Sequence, residues 1–491
     1  MKQAHENNDH YQSTLEDWIV DQKSANEFID VIGKLWFDKE IELIFLRRQL
    51  LDRGANSILH KHSYAENIVN RKLTIQDSLR IAKAMLELNV APARIDIGRL
   101  NREWSEEKDK FDLDVKAFLN QKLGHIIDVP PRSEKTKDVV LFGFGRIGRL
   151  LARVLVQSSG KGSQLRLRAI VTRGNTPDEI RKRASLLRKD SVHGVMQGIA
   201  IEDIDNQSIL INGHIVKMLS ASQPDELNYE EHGIKDALII DNTGIFRDRA
   251  NLSRHLKCPG ADMVLLTAPG KGDIPNIVYG VNQDDCKLGP DGEKVFSAAS
   301  CTTNAVVPVL RVIEDNFGII KGHIETVHSY TNDQNLLDNF HKKSRRGRSA
   351  PLNMVITETG AASAAVKAIP SLANKLTANA VRVPTPNISL AILMLEVAKE
   401  TSVEEVNKIM HKASLKGRLI EQIRFSTSHE LVSTDCIGDS CACIYDSPAT
   451  QVSKDKKNVV LYAWYDNEYG YTCQLVRLAK HIAQVKSYRY Y

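Results

Sequence analysis

The chain has 491 residues, 42% hydrophobic and 26% charged, with 66 Lys and Arg against 61 Asp and Glu. That length is too great for one hydrophobic core and calls for two or three domains, while the near balance of charge implies no bulk polyanion partner, and no nucleic-acid partner is expected. No run of about 18 apolar residues occurs, so no membrane span is expected. The seven cysteines lack a disulfide-framework spacing and Met1-Lys2-Gln3-Ala4-His5 lacks a secretory apolar core, so a reducing, cytoplasmic location is expected.

Residues 1–135 read as an all-α extension of unknown role. Thr74-Ile75-Gln76-Asp77 has the form of a capping box, and Ile75, Leu79, Ala82 and Leu86 then fall on one helical stripe. Asn89 and Pro92 supply the stop. Ile29 to Leu50, with Trp36, Phe37, Phe45 and Leu46, carries a second helical pattern. Both stripes need cover, so a folded unit is expected. His60-Lys61-His62 has no carboxylate or cysteine in register and reads as surface residues, not a metal site. Lys122 to Lys137, containing Pro130-Pro131-Arg132-Ser133, reads as the boundary, and the extension has room for a partner of its own.

Val139-Val140-Leu141-Phe142 is a short β run entering Gly143-Phe144-Gly145-Arg146-Ile147-Gly148, behind which Leu150, Leu151, Val154 and Leu155 recur at helical spacing. Strand, glycine turn and helix together read as a dinucleotide site, the alternative being a purely structural glycine turn. Gly143 permits the turn, Gly145 lets backbone approach a pyrophosphate, and Gly148 lets the helix close on the strand. The helix N-terminus, with its unpaired N–H groups, faces the anion. Leu165 to Val171 reads as the second strand, after a loop at Gly160-Lys161-Gly162. It runs into Thr172-Arg173-Gly174 with no acid to accept the ribose hydroxyls of NAD. Arg173 suits the 2′-phosphate of NADP; alternatively it is solvated and Asp178 reaches back. Ala237 to Asp241 and Met263 to Thr267 continue a doubly wound, Rossmann-type α/β domain over 136–300.

Oxidation of an aldehyde by NAD or NADP needs a nucleophile that makes hydride departure possible. A thiolate does so by forming a hemithioacetal that collapses to a thioester, and a nearby imidazole must share its proton. Cys301 and His328 supply such a pair. Lys342-Lys343-Ser344-Arg345-Arg346-Gly347-Arg348 reads as a phosphate-binding run rather than a nucleic-acid patch, since arginine's planar fork suits phosphate. Cys436, Cys441 and Cys443 fit no zinc spacing and read as structural.

Six motifs stand in order: Gly143 to Arg149, Asn242-Thr243-Gly244, Ser300-Cys301-Thr302-Thr303-Asn304, His328 to Gln334, Arg382 to Asn387, and Trp464 to Tyr471. They closely resemble the phosphorylating glyceraldehyde-3-phosphate dehydrogenases from about residue 137 to 485. The resemblance implies a Rossmann-type cofactor domain, an α+β catalytic domain over 301–466, and a final segment, 467–491, whose helix returns to the cofactor domain. It makes Cys301 the nucleophile and His328 its activator and base. Thr331 and Arg382, with Asp333, match the pocket for the substrate's C3 phosphate. Ser300, Thr302, Thr359, Gly360 and Arg346 match the inorganic-phosphate site or its surroundings. Arg146, Ile147, Thr243, Gly244 and Thr267 match cofactor contacts, and Asn467 the side chain that holds the nicotinamide amide.

The resemblance also implies glyceraldehyde 3-phosphate and inorganic phosphate as substrates, no metal, and a homotetramer. The sequence departs from the family at Ala298, usually asparagine, and Ala305, often a second cysteine. Asp338-Asn339-Phe340-His341 lacks the leucine-proline pair of strictly NAD-using members, which with Arg173 points to NADP use, alone or beside NAD. Two other readings remain: an erythrose-4-phosphate dehydrogenase, which releases its acyl group to water, and a regulatory or binding scaffold acting through the extension.

Overall fold

The structure is a computed structural model describing residues 2–132, 136–160 and 164–491, so part of the expected boundary (Ser133) and of the Gly160-Lys161-Gly162 loop lies outside the described residues. The chain divides into two compact units, one of Met1–Glu134 with Lys486–Tyr491, the other of Lys135–Val485.

The first unit holds α1 (Lys2–Lys39), β1 (Ile41–Phe45), β2 (Arg48–Gln49), α2 (Ala55–Val69), α3 (Ile75–Glu87), β3 (Ala93–Asp96), α4 (Ile97–Glu107) and α5 (Val115–Leu123). The Thr74 cap forms as expected, its side chain accepting from the Asp77 N–H, and Leu79 and Ala82 are buried. The helical pattern drawn through Leu50 is corrected. Glu40 turns into the left-handed region (φ 58) and ends α1, and Ile41-Glu42-Leu43-Ile44-Phe45 becomes a strand paired in parallel with β3. A short apolar run of this kind has no period that separates a buried strand from a helix. Helices dominate the extension, but it is not all-α: β2, β1, β3 and the strand Tyr488–Tyr490 form a four-stranded sheet in that order. That last strand also corrects the expected fate of the chain's final residues, which leave the cofactor domain and pair with β3. His62 is corrected too. It is buried in the core, with Nδ1 2.9 Å from the Ile58 carbonyl and Nε2 2.9 Å from Ser78 Oγ, so both nitrogens already have partners.

The second unit opens with β4 (Lys137–Phe142), α6 (Arg146–Gln157), β5 (Leu165–Thr172), α7 (Pro177–Arg188), the hairpin β6 (Lys189–Asp190) and β7 (Gly194–Val195), β8 (Ala200–Asp203), β9 (Ser208–Ile211), β10 (His214–Ser220), β11 (Ala237–Asp241), α8 (Arg249–Leu252), β12 (Ala261–Leu266) and β13 (Val295–Ser297). These strands form one sheet, β13-β12-β11-β4-β5-β10-β9-β8, parallel through β10 and antiparallel beyond it. Strand order reverses beside β4, so the glycine turn after β4 sits at the switch point where such sheets bind ligands.

The rest comprises α9 (Cys301–Phe317), β14 (Ile319–Ser329), β15 (Val355–Glu358), α10 (Ala361–Ala368), β16 (Leu376–Val383), β17 (Ser389–Val397), α11 (Val403–Leu415), β18 (Ile423–Ser426), β19 (Cys443–Asp446), β20 (Gln451–Val452), β21 (Asn458–Tyr465) and α12 (Tyr469–Ile482). A mixed sheet runs β15-β16-β14-β17-β21-β19-β18, with β20 on β21, and α9 packs on it through Val306, Val309, Leu310 and Ile313. α12 packs on the first sheet of this unit: Leu475, Val476 and Ala479 share a core with Val139, Leu141, Leu151 and Leu155. Among the described residues, no helix is long and apolar enough to cross a membrane.

Candidate active site

The glycine turn joins β4 to α6. Gly143 has φ +97, open to glycine at little cost. A Cβ on Gly148 would lie 2.6 Å from the Gly143 carbonyl oxygen, so only glycine lets α6 close on the strand. A Cβ on Gly145 would meet nothing within 4 Å, which leaves the start of α6 open to an incoming group. The helix's first N–H groups and dipole point there, which suits a pyrophosphate. Thr243 is held by its N–H and hydroxyl on Asp241 Oδ1 (2.8 and 2.7 Å), and Gly244 follows at φ +65. The Thr267 hydroxyl donates to the Asp241 carbonyl (3.1 Å). Ile147 is partly buried against the sheet core. Arg173 is exposed directly after β5 and, among the described residues, has no ion-pair partner, whereas Asp178 pairs with Arg181 (2.9 Å).

Asn467 reaches the catalytic sheet. Its Oδ1 accepts from Ser329 Oγ (2.9 Å) and Ser389 Oγ (3.2 Å), which fixes the amide and turns its nitrogen away from those hydroxyls. The next residue, Glu468, forks onto the Arg146 guanidinium, which also reaches Asp190 (3.2 Å), and His193 Nε2 lies 3.1 Å from the same carboxylate. The Arg146 side chain is therefore committed to carboxylates.

Cys301 is the first residue of α9, where the helix dipole favours a thiolate. Ser300 caps that helix, its Oγ accepting from the Thr303 N–H (3.0 Å). Upstream, Ala299 is buried in the left-handed region (φ 56), pinned by Ala299 N–H to Ser297 Oγ (3.0 Å) and Tyr471 Oη to the Ala299 carbonyl (2.9 Å). A non-glycine residue held there stores on the order of 1 kcal/mol, a strain typical of functional turns. The Thr302 hydroxyl bonds Tyr465 Oη (2.9 Å).

Cys301 Sγ lies 3.7 Å from His328 Nε2. His328 Nδ1 is 2.7 Å from the Ser329 carbonyl, an acceptor, so Nδ1 carries the proton and Nε2 presents its lone pair to the thiol. Arg382 Nη1 donates to the same carbonyl (2.9 Å); its 3.1 Å approach to Nδ1 is then two donors side by side, not a bond between them. Burial, with the Arg382 charge second, lowers the imidazole to about 3, so it is neutral in the resting site. Burial pushes the Cys301 thiol up, and the Arg382 charge opposes this by favouring the thiolate.

Arg382 stands opposite His328 in the parallel pair β14–β16, and its Nη1 also donates to Thr331 Oγ1 (3.2 Å). The Thr331 hydroxyl donates to Asp333, which pairs with Arg346; Arg346 Nε reaches Thr357 Oγ1 (3.1 Å). Burial raises the Asp333 carboxyl, but the Thr331 hydrogen bond and the two guanidinium charges outweigh it and hold the group below its usual range. Two arginines and a threonine thus converge beside the thiol–imidazole pair, an anion-binding array. Thr359 and Gly360 lie at the start of α10, the Thr359 hydroxyl accepting from the Ala361 N–H (3.3 Å).

Residues 137–249 match the glyceraldehyde 3-phosphate dehydrogenase NAD binding domain, and residues 300–467 match the C-terminal domain of the same family. A glyceraldehyde-3-phosphate dehydrogenase-like protein of Pseudomonas aeruginosa is 48% identical over 461 residues, 93% of this chain and 98% of its own. The chain belongs to the glyceraldehyde-3-phosphate dehydrogenase family. A glyceraldehyde-3-phosphate dehydrogenase of Streptomyces coelicolor is 40% identical over 336 residues, 68% of this chain and 95% of its own, and that of Geobacillus stearothermophilus is 39% identical over 341 residues, 70% and 96%. The Pseudomonas alignment is long enough to run through most of the extension, whereas the other two relatives are nearly used up by the second unit's length.

Membership makes the protein a dehydrogenase with a nicotinamide cofactor, and the open Gly145 cradle at the head of α6 fits that group. Several residues that contact the predicted site residues, His193 through Glu468 and the others directly, were not singled out in the sequence: Glu468, Asp190, His193, Tyr465, Ser329 and Ser389. Glu468 and Tyr465 flank Asn467 in a recognised motif, so adjacency was their signal; Asp190 and His193 sit in a hairpin with none.

Proposed function

We propose that this protein converts glyceraldehyde 3-phosphate and inorganic phosphate to 1,3-bisphosphoglycerate with NAD or NADP, or runs the reverse reaction. The observation that carries this reading is the Cys301 thiol 3.7 Å from a neutral His328 Nε2, beside Arg382 and Thr331. His328 takes the thiol proton as the thiolate adds to the aldehyde carbon, and returns it to the new alkoxide, giving a hemithioacetal on Cys301. Arg382 and Thr331 hold the C3 phosphate and so set the distance from anchor to carbonyl. His328 then removes the hydroxyl proton as the C–H hydride departs, leaving a thioester. The bound nicotinamide supplies the hydride acceptor. Inorganic phosphate, held by Arg346 and the Ser300, Thr302, Thr359 and Gly360 region, attacks the thioester carbon and expels the Cys301 thiolate.

Gly143, Gly145, Gly148, Thr243, Gly244 and Thr267 would hold the dinucleotide, and Asn467 its carboxamide. Exposed Arg173, with no carboxylate on it among the described residues, supports acceptance of the NADP 2′-phosphate. Assembly as a homotetramer is supported by Leu336, Leu337 and Phe340, 72%, 73% and 91% exposed in the single chain and grouped beside the basic run.

Initial rates with glyceraldehyde 3-phosphate, NAD or NADP, and with or without phosphate test the reading. Strict phosphate dependence is expected. Phosphate-independent turnover, with erythrose 4-phosphate as the better substrate, would overturn it in favour of the hydrolysing enzyme, and no turnover at all would leave a scaffold.

A further inference from the structure

The first unit is completed by three residues from the far end of the sequence. Tyr488–Tyr490 pairs in parallel with β3, Tyr488 opposite Ala93, Arg489 opposite Arg94 and Tyr490 opposite Ile95. Without this strand, Ala93 to Ile95 would form a sheet edge of unpaired N–H and C=O groups, the kind that accepts an added strand. Side chains read the strand as well as its backbone. Tyr490 is 8% exposed and belongs to the unit's hydrophobic core. Its hydroxyl donates to Glu103, itself buried, which Arg99 also holds (2.7 Å). The Arg99 guanidinium lies 4.3 Å from the Tyr490 ring centroid, a cation–π contact. Arg94 Nη1 donates to Tyr491 Oη (3.3 Å), and the Tyr488 hydroxyl donates to the Pro130 carbonyl (3.3 Å).

We propose that residues 2–132 form a receptor for an aromatic β-strand, and that its ligand is segment 486–491 of this protein, held non-covalently and therefore exchangeable with the same segment supplied in trans by a second copy. Three features support a binding site rather than mere packing. The strand is an edge strand, so it can leave without breaking the sheet. It is joined to α12 through Ala483 to Ser487, which form no helix or strand, so it docks as a short independent piece. Its central determinant is a buried tyrosine hydroxyl on a buried carboxylate, and such a contact rejects strands that lack the hydroxyl. Exchange of one element between identical chains is a low-cost route to association.

The test uses the full chain ended at Lys486 and, as probe, the fluorescein-labelled hexapeptide Lys-Ser-Tyr-Arg-Tyr-Tyr. A saturable rise in anisotropy is expected with the shortened chain, and only at much higher protein concentration with the intact chain, whose own tethered segment competes for the site. Replacing the tyrosine equivalent to Tyr490 by alanine should weaken the probe by about tenfold or more, as for a central aromatic anchor. Equal binding to both chains, or none to a shortened chain with an unchanged circular dichroism spectrum, overturns the proposal. Should the shortened chain not fold, intact Tyr490→Ala serves instead. Its Arg94 and Ile95 amides should exchange faster with deuterium and regain protection on adding the hexapeptide; failure to regain it also overturns the proposal.

Discussion

His328 and Arg382 stand opposite each other on adjacent parallel strands and share one acceptor, the Ser329 carbonyl, at 2.7 Å from Nδ1 and 2.9 Å from Nη1. A single cation therefore serves two tasks. It disfavours protonation of the imidazole, and it anchors Thr331 in the anion pocket. Arg382→Gln should lower kcat/KM for glyceraldehyde 3-phosphate about 10- to 100-fold, the usual cost of one charged hydrogen-bonding group. Unphosphorylated glyceraldehyde, which has no anchor to lose, should be affected far less. Steady-state kinetics with both aldehydes checks this, and equal losses would refute the phosphate role.

The thiol needs the imidazole to become a thiolate in a buried site. Cys301→Ala should abolish turnover, and His328→Asn should reduce kcat about 10²- to 10⁴-fold, the range for a missing general base. His328→Asn should also slow alkylation of Cys301 by iodoacetamide. Mass spectrometry of the labelled peptide resolves that effect from the other six cysteines of the chain.

The pattern of legibility follows from range. The cofactor turn was readable because Gly143, Gly145 and Gly148 lie within six residues, and the geometry at Gly143 and Gly148 excludes other side chains while Gly145 leaves the helix start open. Cys301, His328 and Arg382 stood out through recognised motifs, and the fold brings the thiol, imidazole and guanidinium together. What escaped was long-range or conformational. Ala299 gives no hint in its identity that it sits at φ 56. Tyr490 meets Glu103 across most of the chain's length. His62 looked like a surface residue because the partners that bury it, Ser78 and the core around Phe45, come from other elements.

Glu468, the residue after Asn467, holds Arg146 of the glycine turn. Glu468→Gln keeps the shape but halves the charge on Arg146, which retains Asp190. Weaker cofactor binding is expected, about tenfold in Kd at the scale of one charge-assisted bond, with kcat at saturating cofactor falling less. Titration of cofactor by protein fluorescence quenching measures this. An unchanged Kd would make the clasp purely structural.

Arg173 decides between the two cofactors if it meets the 2′-phosphate. Arg173→Ala should raise KM for NADP roughly 10- to 100-fold and leave KM for NAD within about a factor of two, since only NADP carries the group that loses its partner. Parallel loss of both cofactors would mean that the loop has collapsed. No change with either would return Arg173 to solvent.

Buried His62 makes the extension acid-sensitive. Burial lowers its imidazole from 6.5 to about 4, with the Ile58 carbonyl opposing. Between those values the unfolded chain binds a proton that the folded chain refuses, so stability is intact above about pH 6.5 and is lost as pH falls toward 4. The full loss is on the order of 3 kcal/mol. His328 works in the same direction in the other unit, so the discriminating quantity is a difference between variants. Urea unfolding at pH 7.5 and 5, followed by the fluorescence of the buried Trp36 and Trp104, should show a drop for the intact protein. His62→Gln should be less stable at pH 7.5, through its imperfect fit to Ile58 and Ser78, yet lose less on going to pH 5. An equal acid drop in both would show that the proton enters elsewhere.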